Sequence, residues 1–261
     1  MNYKLFNGDC LEIMKQIPDK SIDLILCDLP YGTTALKWDK VIDSCKLWKQ
    51  YKRLIKSNGI ICLFCIQPFT SALIMSNPDM YRYSWIWKKE TPTGFLNCKY
   101  KPLNITEDIA VFSNGNVGSL SKNPIVYYPQ GLTKVNKIKH NNPNSTWREN
   151  KGYNTKNNIL NSDKEYIQTH TGYPNNILEF SRDKNAIHPT QKPVALLEYL
   201  IKTYTNEGDL VLDNCMGSGS TGVACINTNR NFIGIELDKK YFEIAKKRIE
   251  GTKRESQLFK V

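Results

Sequence analysis

The chain has 261 residues, 40% of them hydrophobic, and a formal net charge of +11 at pH 7. That is enough apolar content for a sizeable core, either in one large α/β domain with an insertion or in two small domains. No run of about 18 apolar residues occurs, and the start MNYKLFNGDC lacks the basic-then-apolar layout of an export signal, so no membrane span is expected and the expected location is cytoplasmic. The positive charge points towards a polyanionic partner but says nothing about fold.

In chain order, apolar runs and turn signals predict strands at Tyr3 to Asn7 and Ile22 to Cys27, then a helix at Leu47 to Ile55 closed by SNG. A buried strand follows at Ile60 to Cys65. It contains Cys62 and Cys65, a C-x-x-C without a second pair at zinc-ligand spacing, which reads as buried small apolar residues. The stretches YSWIWKK (83 to 89) and DIAVFS (108 to 113) read as an antiparallel hairpin. Strands alternating with helices indicate a mostly parallel sheet with crossover helices.

From 114 to 170 the character changes, with few periodic apolar positions and eight basic residues against three acidic ones. This reads as an insertion, and its aromatic residues Tyr127, Tyr128, Trp147 and Tyr153 argue for ordering against a partner. Alternation resumes after HPTQKP with a helix at Val194 to Tyr204. A strand at Leu210 to Asp213, a glycine-rich turn, a short helix, a strand at Phe232 to Leu237 and a lysine-rich C-terminal helix complete the chain.

Gly217, Gly219 and Gly222 match G-x-G-x-x-G after a strand, with Glu236 ending the next strand 14 residues beyond Gly222. Taken literally this is a dinucleotide fingerprint, with the acid placed for ribose hydroxyls. Asp213, four residues before the first glycine, would repel a pyrophosphate and suits a ligand with positive charge. S-adenosylmethionine has an amino group, a sulfonium and a ribose, and it is preferred over NAD; a purely structural glycine turn is the third reading. His140, His170 and His188 show no ligand spacing, and no metal is assigned.

Five motifs in order, GDC (8 to 10), DLPY (28 to 31), HPTQKP (188 to 193), DNCMGSGSTG (213 to 222) and GIELDKKYFEIAKKRI (234 to 249), resemble the β-class amino-methyltransferases of DNA. The resemblance covers nearly the whole chain except 114 to 186. It implies a Rossmann-like, S-adenosylmethionine-dependent α/β fold with permuted motif order, a mostly parallel sheet and an antiparallel hairpin. Residues 1–113 would form the catalytic half, 114–186 a target-recognition insertion and 187–261 the cofactor-binding half. It implies transfer of a methyl group from S-adenosylmethionine to adenine N6 in double-stranded DNA, with cytosine N4 as the alternative. Homodimerisation and a cognate restriction endonuclease are further partner expectations of the resemblance.

The same resemblance assigns roles. Asp28 and the Leu29 carbonyl would accept the two amine hydrogens, Pro30 would fix the turn, and Tyr31 would stack on a base extracted from the duplex at a cost that stacking can largely offset. Leu29 departs from the family pattern, which has proline there; Pro30 already biases residue 29 towards an extended conformation. Asp9 and Cys10 would lie near the cofactor adenine, and Asp213, Cys215, Gly217, Ser218, Gly219 and Thr221 near its methionine part. Glu236 would bind the ribose, and Thr190 and Lys192 would lie near the donor carboxylate. Lys37 and Trp38 could reach DNA from a loop or pack at a seam. Carbon-5 methylation is disfavoured because no cysteine follows a proline. Readings from other classes are a nicotinamide-dependent oxidoreductase and a DNA-binding relative that has lost activity.

Overall fold

A computed structural model describes residues 2–32, 41–118, 120–140, 165–183 and 191–258, with side chains to 253. Thr190, Lys37, Trp38, His188, Trp147 and Tyr153 lie outside the described residues. The chain folds as two compact units, one of Met1–Tyr128 with Asn175–Val261 and one of Pro129–Pro174.

The larger unit is built on an eight-stranded sheet. Its parallel part runs β1 (Tyr3–Asn7), β10 (Asn231–Glu236), β9 (Leu210–Asp213), β2 (Ile22–Asp28), β3 (Ile55–Cys65). An antiparallel flank continues with β5 (Asn104–Phe112) and β4 (Tyr81–Thr93), and β8 (Ile177–Glu179) pairs in parallel at the far edge. The order of motifs along the chain is thus permuted relative to the order of strands in space. The strands that carry the glycine loop come last in sequence yet lie beside β1 and β2.

Side-chain alternation divides the core in two. Leu24 and Leu26 of β2, with Ile60, Cys62 and Phe64 of β3, pack under α4 (Val194–Tyr204), α5 (Ser220–Asn227) and α6 (Lys239–Leu258). Ile25 and Cys27 face the other way, towards α1 (Cys10–Met14), α2 (Ser44–Leu54) and α3 (Phe69–Met75). Helix α2 shows why the pattern folds this way. Its Leu47, Trp48, Tyr51 and Leu54 recur at helical spacing and are buried, and Asp43 caps its start by accepting from the Lys46 amide. Each such side chain contributes about 1.5–3 kcal/mol by leaving water.

The structure differs from expectation in three places. Strand β3 begins at Ile55, not Ile60, because the chain pairs Ile55 with Ile22 and then bulges; at Gly59 a Cβ would lie 2.9 Å from the Asp23 carbonyl oxygen. The SNG turn signal is therefore a bulge inside a strand. The short helices α1 and α3 and the strand β8 carry too few periodic positions to announce themselves. Within 114–186 the smaller unit contains an antiparallel ribbon, β6 (Thr133–His140) paired with β7 (Glu165–Thr171), while 114–118, 120–128 and 175–183 belong with the larger unit. Cys62 and Cys65 are buried in β3, and burial pushes both thiols up. Among the described residues no helix is long and apolar enough to cross a membrane.

Candidate active site

The parallel strands β1, β10, β9 and β2 all end at one edge of the sheet. Strand β9 leads through α5 to β10 on one side, and β2 leads through α2 to β3 on the other. The gap between β9 and β2 is therefore the point where the winding direction changes, the place where α/β sheets bind ligands. A cavity of about 990 Å³ opens there. Asp9, Cys10, Asp28, Leu29, Pro30, Tyr31, Lys192, Asp213, Cys215, Gly217, Ser218, Thr221 and Glu236 all line it. Sequence positions almost 230 residues apart thus share one wall.

On the glycine-loop side, backbone amides and hydroxyls hold the carboxylates. Asp213 ends β9, accepts from the Cys215 amide at 3.1 Å and from the Thr221 hydroxyl at 2.6 Å, and is buried. Burial pushes its carboxyl up to about 7, against the pull of those donors. Glu236 ends β10 and accepts from the amides of Gly217 (2.9 Å) and Asp238 (2.8 Å), and burial raises its carboxyl too. Asp9 caps α1 through the amides of Leu11 and Glu12 and also lines the cavity. The Cys10 thiol is raised by its hydrogen bond to Cys215 and by burial.

The glycines have separate jobs. Gly217 takes a left-handed conformation with open space around it, as a loop approached by a ligand requires. Gly219 lies between Ser218 and Ser220, which line the cavity. It sits at φ +82° before α5, where a Cβ would lie 2.9 Å from the Ala245 Cβ of α6. Its hydrogen atom is what lets loop and helix approach. Arg248, which sequence reasoning missed, donates to the Ser218 carbonyl at 2.7 Å and holds the loop from behind.

Across the cavity, Asp28 ends β2 on the face of Leu24 and Leu26. The Tyr31 hydroxyl donates to its Oδ1, and the Tyr31 ring packs on Phe69 with centroids 5.2 Å apart. Leu29 turns its side chain into the core beneath, 4% exposed, in the cluster of Met14, Leu63 and Leu73.

Lys192 lines the same cavity, and within the chain its Nζ lies 2.6 Å from Asp28 Oδ2 and 3.2 Å from Glu107 Oε2. Lys89 completes the set, 2.6 Å from Glu107 Oε1. Sequence reasoning missed Lys89 and Glu107, yet a signal existed. Trp85, Trp87 and Lys89 alternate on one face of β4, as Glu107, Ile109 and Val111 do on β5, with Trp87 opposite Glu107. A charge continuing an apolar face must find a buried partner.

Among the described residues the cavity wall carries seven carboxylates (Asp9, Asp28, Asp43, Glu107, Asp108, Asp213, Glu236) and two cations, Lys89 and Lys192. Both cations are engaged with Glu107 or Asp28, leaving no free cationic grip for a pyrophosphate in the described wall. The donor set suits a ligand with positive charge and hydroxyls.

A family model described as DNA methylase matches residues 22–247. The chain is 30% identical to the type II methyltransferase M.HpaI of Haemophilus parainfluenzae, over 96% of this chain and 75% of that protein. It is 29% identical to the DNA adenine methyltransferase YhdJ of Escherichia coli (strain K12), over 94% of this chain and 82% of that protein. Among solved structures it resembles the M1.HpyAVI–SAM complex, with a TM-score of 0.58, 27% identity and coverage of 94% of this chain and 99% of that one.

Proposed function

This chain belongs to the DNA methylase family, and we propose that it transfers the methyl group of S-adenosylmethionine to the N6 amine of adenine at a specific site in DNA. The observation that carries the reading is that the Asp28–Leu29–Pro30–Tyr31 turn and the acidic glycine loop open onto one cavity. Likeness to YhdJ, named an adenine enzyme, supports adenine, as does aspartate in place of serine at position 28. DNA as substrate supports a cytoplasmic location.

Asp213 and Glu236 are the groups to hold the donor, the first through its positive charge and the second through ribose hydroxyls. Bound there, S-adenosylmethionine supplies an electrophilic methyl on a sulfonium. The task left to the protein is to make a poor nucleophile available, since the amine lone pair is delocalised into the base. Asp28 and the Leu29 carbonyl accept the amine hydrogens, which localises the lone pair, and Tyr31, its ring packed on Phe69, offers an aromatic face for the extracted base. As the N–C bond forms and the C–S bond breaks, the amine becomes acidic and its proton passes to the Asp28 carboxylate and on to solvent. Positioning and electrostatic complementarity provide most of the acceleration.

For target recognition we assign the ribbon β6–β7 of the smaller unit. It bears Lys134, Lys137 and Lys139 with exposed Ile138, Tyr166 and Ile167, and a two-stranded ribbon of this kind fits a major groove. Replacing the three lysines by alanine is expected to lower the salt slope of DNA binding by about 1 for each phosphate no longer neutralised, measured by titration at several ionic strengths.

The main test is mass spectrometry of nucleosides from a methylation-free host expressing the wild type or Asp28→Ala. N6-methyladenine with the wild type alone is the expected result. N4-methylcytosine would overturn the base assignment, and soluble wild type leaving no methylated base would overturn the activity.

A further inference from the structure

We infer that Lys192, Glu107 and Lys89 are positioning residues for methyl transfer: a buried line of alternating charges that aims the Asp28 carboxylate at the amine from behind. The inference rests on the methyl-transfer reading above and goes beyond it, because none of these residues needs to touch cofactor or base.

The line runs from Lys89 Nζ to Glu107 Oε1 (2.6 Å), from Glu107 Oε2 to Lys192 Nζ (3.2 Å), and from Lys192 Nζ to Asp28 Oδ2 (2.6 Å). The side chains of Lys89, Glu107 and Lys192 are 7%, 13% and 9% exposed, and that of Asp28, at the cavity end, is 30% exposed. The charge sum is zero. Aromatic faces back the two cations, Trp87 at 5.7 Å from Lys89 Nζ and Phe64 at 5.1 Å from Lys192 Nζ.

Burying four charges is a poor way to gain stability, since desolvation of such pairs commonly cancels their attraction and apolar side chains would fill the space as well. What the arrangement does accomplish is geometric. A carboxylate has about four lone-pair sites. Lys192 engages Oδ2 and the Tyr31 hydroxyl engages Oδ1, so the Asp28 carboxylate is held at both oxygens with lone pairs left for the cavity. An acceptor fixed before the base arrives needs no reorganisation during transfer.

Glu107 and Lys89 act one step further back. Burial pulls the Lys192 ammonium down, but Asp28 and Glu107 outweigh it and leave it above the usual lysine range. Glu107 is pushed up by burial and brought below the usual carboxylate range by Lys192 and Lys89. Both shifts favour the charged forms, so Lys192 is a poor acceptor for the amine proton. Its role is exercised through Asp28.

The test uses the full-length protein with Lys192→Met, Lys192→Arg and the charge-balanced double variant Lys192→Met/Glu107→Gln. Calorimetry with S-adenosylhomocysteine and turnover on DNA from a methylation-free host are the readouts. The expected result is S-adenosylhomocysteine affinity within about threefold of wild type and kcat lower by roughly 10²-fold in both methionine variants, with Lys192→Arg restoring most of it. The double variant keeps the charge sum at zero, with Lys89 and Asp28 as the two remaining opposite charges, and its S-adenosylhomocysteine binding reports that it has folded. Recovery of its kcat to within about threefold of wild type would overturn the inference, since Lys192 would then merely neutralise Glu107. Loss of S-adenosylhomocysteine affinity in parallel with kcat would overturn it too, by making Lys192 a cofactor ligand. Wild-type turnover, measured alongside, separates either failure from failure of the methyl-transfer reading itself.

Discussion

The two sides of the cavity solve the same problem, buried carboxylates, in opposite ways. Around the glycine loop, Asp213 and Glu236 are held by uncharged donors, and burial raises both carboxyls. Across the cavity, Asp28 and Glu107 are paired with lysines, and Glu107 falls below its usual range despite burial. The first side is left short of positive charge and is completed by a cationic ligand. On the second, Lys89, Glu107, Lys192 and Asp28 sum to zero charge, which in the proposed reaction suits an uncharged base. In the proposed reaction this difference favours the donor on the first side and the base on the second.

Breaking the first side at its centre is expected to have the largest effect. Asp213→Asn should weaken S-adenosylmethionine binding by roughly 10- to 100-fold, the scale of a hydrogen bond to a charged group, as read by calorimetry. Unchanged affinity would mean that the ligand's positive charge is met elsewhere. Gly219→Ala comes next. It combines a left-handed backbone with a Cβ pressed on Ala245, and it should cost about 1–3 kcal/mol of stability in denaturant titrations.

The pH dependence sharpens the comparison. Asp213 has a folded pKa of about 7, above the unfolded value of about 3.9, so the stability it contributes is fully present below about pH 4 and is lost as pH rises through about 7. A cation bound beside it reverses the preference. Affinity for S-adenosylmethionine should therefore rise with pH by up to roughly tenfold per unit until about 7 and then level off, and Asp213→Asn should flatten that curve. Glu107 contributes with the opposite sign, its stabilisation being lost only as pH falls through its lowered pKa. The smallest effect is expected from Glu236→Gln, about 1 kcal/mol of cofactor affinity, because the amide oxygen can still accept from Gly217 but cannot serve every donor at once.

Much of the glycine-loop side was legible in advance because its parts are close in sequence and use local rules. A strand ending in Asp213, a loop that needs left-handed glycines and a short helix after it are read from neighbours, and the structure places them so. The Leu29 departure was also visible, though its burial in the core of Met14 and Leu73 was not. The catalytic flank was half legible. DLPY stood out as a turn with unusual chemistry, whereas Lys192 belonged to a motif that suggested the donor carboxylate.

The amino-acid order by itself determined the alternation of strands and helices, the acidic glycine loop and the turn at Asp28, because periodicity, capping and turn chemistry act over a few residues. Tertiary structure alone decided that Gly219 serves helix packing, that Arg248 braces the loop, and that Lys192 from the chain before α4 meets Glu107 from β5 and Asp28 from β2. The reason is register. The parity of β4 and β5 marks Lys89 and Glu107 as inward-facing, but parity cannot name a partner 164 positions away from Asp28. Only the packing of α4 against the sheet brings that lysine to its carboxylates.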